Sequence, residues 1–157
     1  MRETYAKMFL TTWNVYKFHA DYAALDGFDP NAQSVPVNER SELDRWILSR
    51  LLHTVATDYH DNFTNWQFHK ACRDLEDFMV NDVSNWYVRR SRRRLWDEAD
   101  SHDKLSCQHT LHEVLETVCR LVAPVSPFMV DRIHRNLTGE SVPVSYTHLR
   151  AHETLDN

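Results

Sequence analysis

Hydrophobic residues recur at three- and four-residue steps along most of the chain, a spacing that predicts amphipathic helices. Residues 2–24 contain neither glycine nor proline and are predicted to form the first helix. Gly27 followed by Pro30 is predicted to end it, and the polar residues 31–40 are predicted to form a connector. The apolar face of this first helix is predicted to comprise Tyr5, Met8, Phe9, Trp13, Tyr16 and Ala20.

A second helix is predicted to begin after Ser41, whose hydroxyl can accept a hydrogen bond from the first turn, and to end near Asp61. Its apolar stripe has four-residue spacing and consists of Leu43, Ile47, Leu51 and Val55. Thr64 is the predicted cap of a third helix that continues to Trp96. The third helix is expected to bury Phe68, Ala71, Cys72, Leu75, Phe78, Met79 and Val83. Trp86 falls beside the same stripe and is also expected in the core.

Polar residues at 97–104 predict a loop, and a fourth helix is predicted over 105–122. Pro124 and Pro127 break the pattern, and a short fifth helix is predicted from Pro127 to about Leu137. No alternating strand pattern extends beyond a few residues. The fold class predicted from the sequence is therefore all-α, as an antiparallel helix bundle.

Three segments are predicted along the chain: residues 1–40 as a helix with its connector, 41–142 as the bundle, and 143–157 as a tail. The tail has neither a helical face nor a cap. Residues 144–154 (VSYTHLRAHET) are similar to the translation of a synthetic sequencing-library adapter, so we expect the tail to be non-native. The alternative is an ordinary polar tail.

Composition narrows the classes of protein that the chain can represent. Its 157 residues include only two glycines, Gly27 and Gly139, which argues against a β-sandwich, a barrel or a glycine-rich phosphate loop. The three cysteines form no CxxC pair and are expected to be reduced thiols. No apolar run approaches the roughly 20 residues of a membrane span, and the N-terminus does not resemble a signal peptide. We therefore expect a cytoplasmic protein with no membrane partner.

One segment is strongly basic although the whole chain carries a net charge of −5. It holds five arginines and no acid: Arg89, Arg90, Arg92, Arg93 and Arg94. Guanidinium groups bind phosphate bidentately and stack on bases, which favours RNA binding. Alternatively, acidic residues of the same or a neighbouring helix neutralise them, and the nearby candidates are Asp74, Glu76, Asp77 and Asp82.

Residue types that often carry catalysis or bind metals are present but are not arranged for either. His109 and His112 share a helix face, but the second histidine of a metalloprotease HExxH motif is absent. No paired cysteines complete a zinc site, and no Ser/His/Asp arrangement accompanies a glycine elbow. We therefore expect solvated or capping histidines, no metal site and no catalytic residue.

Several motifs together resemble a known family. Residues 41–51 (SELDRWILSRL), 68–71 (FHKA), 76–78 (EDF) and above all 85–96 (NWYVRRSRRRLW) are similar to the anticodon-binding domain of isoleucyl-tRNA synthetases. These are class I aminoacyl-tRNA synthetases, and the resemblance covers roughly residues 2–142. The related valyl enzymes usually have an acidic version, Asp-Trp-Tyr-x-Glu, of the last motif.

The resemblance implies that this chain is a fragment whose helical domain binds the anticodon stem-loop of the isoleucine tRNA. The arginines at 89, 90, 92, 93 and 94 would contact phosphates, with Lys70 as a weaker candidate. The parent enzyme would join isoleucine to tRNA with ATP and Mg²⁺ and is expected to be monomeric. The HIGH and KMSKS signatures that bind ATP are absent from this sequence, so we expect the fragment alone to be inactive and to hold no cofactor.

Two other interpretations remain open. The chain could be the same domain of a valyl or leucyl synthetase. It could also be a non-enzymatic helical module that binds an acidic protein through its arginines or a metal through its histidines.

Overall fold

The computed structural model describes residues 2–31, 35–96 and 102–140, with side chains from residue 6 onward apart from 55 and 56. Most of these residues are helical, and none of them forms a β-strand. The α-helices are α1 (Arg2–Asp26), α2 (Glu42–His53), α3 (His60–Thr64), α4 (Phe68–Asp77), α5 (Arg89–Trp96), α6 (His102–Val122) and α7 (Pro127–Thr138). The all-α prediction is confirmed. The predicted tail, 143–157, lies outside the described residues.

Other helical turns connect these elements. A short 3-10 helix covers Val37–Glu39 within the predicted connector. Wider, π-helical turns join α2 to α3 over Thr54–Tyr59 and join α4 to α5 over Phe78–Val88. The third predicted helix is therefore continuous from Phe68 to Trp96, as expected, but its middle part is not α-helical.

The chain divides into two compact units, Met1–Leu115 and Glu116–Asn157, with the boundary inside α6. In the first unit, α2 is antiparallel to the long helix that runs from α4 to α5. The beginning of α2 meets the end of α5, because Asp44 pairs with Arg94. Further along α2, Arg50 pairs with Asp82 at 2.9 Å, in the middle of the long helix.

Helix α6 is antiparallel to α1 in the same unit. Lys104, near the beginning of α6, pairs with Asp26 at the end of α1, with 2.6 Å between Nζ and Oδ1. One helical turn later, Gln108 donates a hydrogen bond to the other carboxylate oxygen of Asp26 at 2.6 Å. These contacts fix the ends of the two helices beside each other.

The core of the first unit contains side chains from α1, α2, the long helix and α6. Its largest fully buried members are Met8, Ile47, Leu75, Phe78, Met79, Val83, Tyr87, Leu111, Val114 and Leu115. Ser41 caps α2 as predicted, because its hydroxyl accepts a hydrogen bond from the backbone N–H of Asp44 at 3.3 Å. Within the described side chains, the apolar stripes predicted for α2 and α4 largely agree with this core, although Phe68 is 40% exposed.

The buried face of α1 differs from the predicted one. Met8, Thr12, Val15 and His19 are buried, whereas Trp13 is 38% exposed. The buried face is rotated by about one residue, and the buried Thr12 hydroxyl on it donates a hydrogen bond to the Met8 carbonyl of the same helix at 2.9 Å. The side chain of Tyr5 lies outside the described residues.

The prediction that Thr64 caps the third helix is wrong. Thr64 is the last residue of α3, and Gln67 is the residue that precedes α4. Helix α2 reaches this far because its π-helical turns lead directly into α3. The turn between α3 and α4 contains Trp66 at a φ of 60°, a left-handed conformation that is unusual for a large side chain.

Trp86 was expected in the core, and this expectation is wrong: its side chain is 45% exposed. Tyr87, the next residue, is fully buried instead. A π-helical turn contains more residues than an α-helical turn, so the inward-facing position after Val83 is four residues away and not three. Local backbone geometry thus exchanges the two aromatic residues between core and surface.

The polar stretch predicted as a loop over 97–104 is partly helical. His102–Lys104 begin α6, and residues 97–101 lie outside the described residues. The predicted loop is too long at its C-terminal end because Asp103 and Lys104 form ion pairs with Arg94 and Asp26, respectively.

The second unit contains the end of α6 and all of α7, which begins at Pro127 as predicted. Gly139 ends α7 in the left-handed conformation, with φ of 78°, and donates its N–H to the Arg135 carbonyl at 2.9 Å. Gly27 has a φ of 64° after α1, so both glycines end helices as predicted. None of the helices in the described part of the chain is both long and apolar enough to cross a lipid bilayer.

Candidate nucleic-acid interface

Helix α5 has one buried side and a large basic surface. Ser91 and Leu95, four residues apart, are buried and hold the helix against the bundle. Four arginines point elsewhere and are exposed: Arg89, Arg90, Arg92 and Arg93. We call these four residues the arginine face. The sequence forms it because a helix with only two buried positions per two turns must turn its other side chains to solvent.

The arginine face is not neutralised by the described acidic residues. No acidic side chain in that part of the chain forms an ion pair with any of its four guanidinium groups. Three of the acids that the sequence suggests as partners are bonded elsewhere, Asp74 to Asn62, Asp77 to Asn81 and Asp82 to Arg50. Within the described residues, four positive charges therefore remain available to an anionic ligand.

Arg94, the fifth arginine, is in a different environment. Its two terminal nitrogens donate hydrogen bonds to the two carboxylate oxygens of Asp44 at 2.8 and 2.7 Å. Its Nε atom donates to Asp103 at 2.7 Å. The alternative of internal pairing thus describes Arg94, and the partners are acids of α2 and α6. The structure does not place this guanidinium group with the other four.

Asp44 is fully buried and receives a third hydrogen bond, from the Tyr87 hydroxyl at 2.6 Å. Burial alone would raise the pKa of Asp44, but the hydrogen bonds from Arg94 and Tyr87 outweigh this effect and lower it. Burial likewise disfavours the charge of Arg94, yet its bonds to Asp44 and Asp103 raise the pKa of Arg94. Asp44 and Arg94 therefore remain a charged pair inside the fold, and the sequence alone does not reveal this pairing.

An open cavity of about 620 Å³ lies beside the arginine face. It is lined by Ser41, Glu42, Leu43, Trp46, Trp86, Arg90, Arg94 and Asp103. The Trp46 and Trp86 rings are 6.4 Å apart between centroids, and the guanidinium carbon of Arg90 lies 3.7 Å from the centroid of Trp86. Sequence reasoning missed Trp46, because a tryptophan beside an apolar stripe is ordinarily part of a core.

Aromatic residues of α1 lie against the other side of α5. The guanidinium carbon of Arg92 is 5.9 Å from the centroid of the Phe18 ring. Trp96 is exposed and donates its indole N–H to the hydroxyl of Tyr22. These contacts orient Arg92 while leaving its charge exposed to solvent.

Lys70 is also exposed, but it is not near the arginine face. It lies in the first turn of α4, and Arg89 follows 19 residues later in the same continuous helix. At the rise of helical residues this separation is roughly 25 Å. A ligand that contacts both positions would have to extend along most of the long helix.

Two histidines of α6, His109 and His112, are not solvated, contrary to expectation. His109 and His112 are buried, and so is His19 of α1. The ring centroid of Phe28 lies 4.9 Å from that of His109 and 6.0 Å from that of His112, and His19 lies 5.7 Å from His112. Burial, with a smaller contribution from His112, lowers the pKa of His19 from 6.5 to about 3. These imidazoles are core side chains, and the described residues contain no metal-binding group of three or more ligands.

A known protein family matches most of the chain. Residues 44–154 match the sequence profile of a family described as the anticodon-binding domain of tRNA ligase. The match includes all of α5 and most of α2.

Individual relatives are named more specifically, as isoleucine–tRNA ligases. The chain is 44% identical over 144 residues to an isoleucine–tRNA ligase of Porphyromonas gingivalis, a match that covers 92% of the chain and 13% of the relative. It is 44% identical to that of Bacteroides thetaiotaomicron over 88% of the chain and 12% of the relative. It is 41% identical to that of Methanothermobacter thermautotrophicus over 88% of the chain and 13% of the relative. The chain thus spans about one eighth of the length of these curated relatives.

Proposed function

Because the chain belongs to the family of anticodon-binding domains of tRNA ligases, we propose that it binds the anticodon stem-loop of the isoleucine tRNA. The observation that carries this proposal is the arginine face, whose four exposed guanidinium groups have no acidic partner among the described residues. In a chain with a net charge of −5, an anionic ligand bound to such a surface would offset the mutual repulsion of its charges, and this favours an anionic partner.

The arginine face would hold the RNA through its phosphates. Each guanidinium group can donate two parallel hydrogen bonds to one phosphate, which fixes the position of the strand without reading its sequence. Arg94 would act indirectly, because its bonds to Asp44 and Asp103 fix the end of α5 against α2 and α6. Lys70 remains a secondary contact that only an extended RNA surface would reach.

The longer protein would attach isoleucine to this tRNA with ATP and Mg²⁺, as a monomeric cytoplasmic ligase. The described residues do not fit an ATP–Mg²⁺ site, since they hold no cluster of metal-ligating side chains and no glycine-rich loop. This chain would supply tRNA recognition, and on its own it would not catalyse aminoacylation.

Salt-dependent binding tests the role of the arginine face. The full chain is titrated with a fluorescent anticodon stem-loop RNA at several salt concentrations. The logarithm of affinity should fall with the logarithm of salt by about 0.7 for each phosphate neutralised in a single-stranded region. The double variant Arg92→Ala/Arg93→Ala should therefore reduce the slope by about 1.4.

A matched control is Arg45→Ala/Arg73→Ala, which removes two exposed arginines outside α5. It should leave the slope close to that of the unchanged chain. An equal reduction in both double variants would show that only net charge matters and would contradict the proposal. Competition by valine or leucine tRNA, or by an acidic peptide, that matches the isoleucine stem-loop would favour the other two interpretations instead.

A further inference from the structure

The cavity beside the arginine face, which we call the tryptophan cleft, has the features of a binding site for a single planar group. Its apolar walls are Leu43, Trp46 and Trp86, and Arg90 lies across one face of Trp86. Its volume of about 620 Å³ is within the ordinary range for small-molecule sites. The cleft is also open to solvent next to an exposed basic surface.

The geometry of the tryptophan cleft suits stacking. Trp46 and Trp86 form a tilted pair, inclined by 57°, and are therefore not stacked face to face on each other. Arg90 covers Trp86 at 3.7 Å and presents the other side of its planar guanidinium group. Nucleobases that leave an RNA stack are bound by such aromatic and guanidinium planes.

The charges of the cleft favour a neutral group over a phosphate. Glu42 and Asp103 place two carboxylates on its lining. The positive charge of Arg94 is already matched by Asp44 and by Asp103. A phosphate inside the cleft would be repelled by Glu42, whereas on the arginine face outside it would meet the four exposed guanidinium groups. The strand would therefore run along the arginine face and turn a base inward.

We propose that the tryptophan cleft binds one unstacked nucleobase that carries an exocyclic amino group. This inference rests on the proposed function, since it assumes that the bound strand is RNA. The carboxylate of Glu42 is exposed and lies at the beginning of α2, where it can accept a hydrogen bond from an amino group. Cytosine offers such a group at the position where uracil has a carbonyl oxygen, so the cleft would prefer cytosine to uracil.

The test compares two oligonucleotides with equal charge. The full chain is titrated with single-stranded oligocytidylate and oligouridylate of the same length, and tryptophan fluorescence and anisotropy are followed. We expect the cytidine oligomer to bind about 10-fold more tightly, as for one favourable base contact. Glu42→Ala should bring the ratio close to one without weakening binding of the uridine oligomer.

Trp86→Ala should weaken binding of both oligomers about 10-fold, which is the effect of losing one stacked base. Trp66→Ala is the matched control, because Trp66 is 80% exposed and does not line the cleft. Circular dichroism establishes that each variant remains helical.

The outcomes separate this inference from the proposed function. If the stem-loop binds with the expected salt slope but the two oligomers bind equally, the tryptophan cleft proposal is overturned and the arginine face proposal stands. If Trp66→Ala weakens binding as much as Trp86→Ala, the cleft is not the stacking site. If neither the stem-loop nor an oligomer binds, both proposals are overturned.

Discussion

The Arg94 guanidinium group and the Asp44 carboxylate form a bidentate pair in which Asp44 is fully buried and Arg94 is 15% exposed. The pair connects the last turn of α5 to the first turn of α2. The environment of Arg94 therefore differs from that of the other arginines of its helix, although all five lie within six consecutive residues of the sequence.

Loss of this pair should be costly for folding. Arg94→Ala leaves the Asp44 carboxylate buried without its cation, which should lower the free energy of unfolding by about 3–5 kcal/mol. Urea denaturation followed by circular dichroism measures the change. Arg93→Ala is the control, since Arg93 is exposed, has no ion-pair partner among the described residues, and should change this free energy by less than about 0.5 kcal/mol. Equal losses in the two variants would contradict a structural role for Arg94.

The buried histidine of α1 should make stability depend on pH. The pKa of His19 is lowered from 6.5 to about 3 in the folded protein, so the unfolded chain binds more protons between these values. Stability from a neutral His19 is complete above pH 6.5 and is lost as pH falls towards 3, by up to about 1.4 kcal/mol per pH unit. Unfolding free energies across this range should show a shallower slope for His19→Gln than for the unchanged chain.

A solvent-exposed histidine provides the control. His60 is exposed at the beginning of α3, so its imidazole is not buried on folding. The change in slope should therefore be larger for His19→Gln than for His60→Gln. A slope that does not change in His19→Gln would show that His19 does not contribute to the acid sensitivity.

The cap of α2 should contribute measurably to stability. Ser41→Ala removes the acceptor for the Asp44 N–H and should cost about 1 kcal/mol. Ser49 of the same helix is exposed, and Ser49→Ala should be neutral or stabilising by a few tenths of a kcal/mol, since alanine has the higher helix propensity. Thermal unfolding measures the stability of both variants. Equal stability of Ser41→Ala and Ser49→Ala would contradict a capping role for Ser41.

The left-handed glycine after α1 gives a further prediction. Apart from residue 27 itself and its two chain neighbours, nothing in the structure lies within 4 Å of where a Cβ of residue 27 would be, so the cost of a side chain there comes from the φ of 64°. Gly27→Ala should lose about 1–2 kcal/mol of unfolding free energy. Gly27→Asn should lose less, because asparagine tolerates this conformation. Equal losses by urea denaturation would contradict this explanation.

The sequence predicts those features of the fold that depend on the periodicity and type of neighbouring residues. The helices, the glycines that end them and the Ser41 cap all follow from neighbouring residues, as do the buried positions of α2 and α4. The exchange of Trp86 for Tyr87 could not be predicted, because it depends on π-helical turns that no residue type signals. Thr64 likewise has the chemistry of a cap but lies inside a helix that extends past it.

Ion pairs between residues that are distant in the sequence are the second feature that the sequence alone does not predict. The partner of Arg94 is 50 positions away in the chain, and its identity determines which arginines remain available to a ligand. The tryptophan cleft also depends on residues from α2 and the long helix that approach only in the folded state. The resemblance of residues 85–96 to a known motif indicates the basic segment but not this division within it.

The π-helical turns over Phe78–Val88 also make the arginine face sensitive to the length of the chain before it. Each residue of an α-helix advances the direction of its side chain by about 100°. If one exposed residue of this segment, such as Asn81, were deleted and the turns kept their π-helical width, everything after them would rotate by nearly that angle. Ser91 and Leu95 would then leave the core and arginines would point towards it. The number of residues in this segment, as much as the arginines themselves, sets the direction in which the positive charge faces.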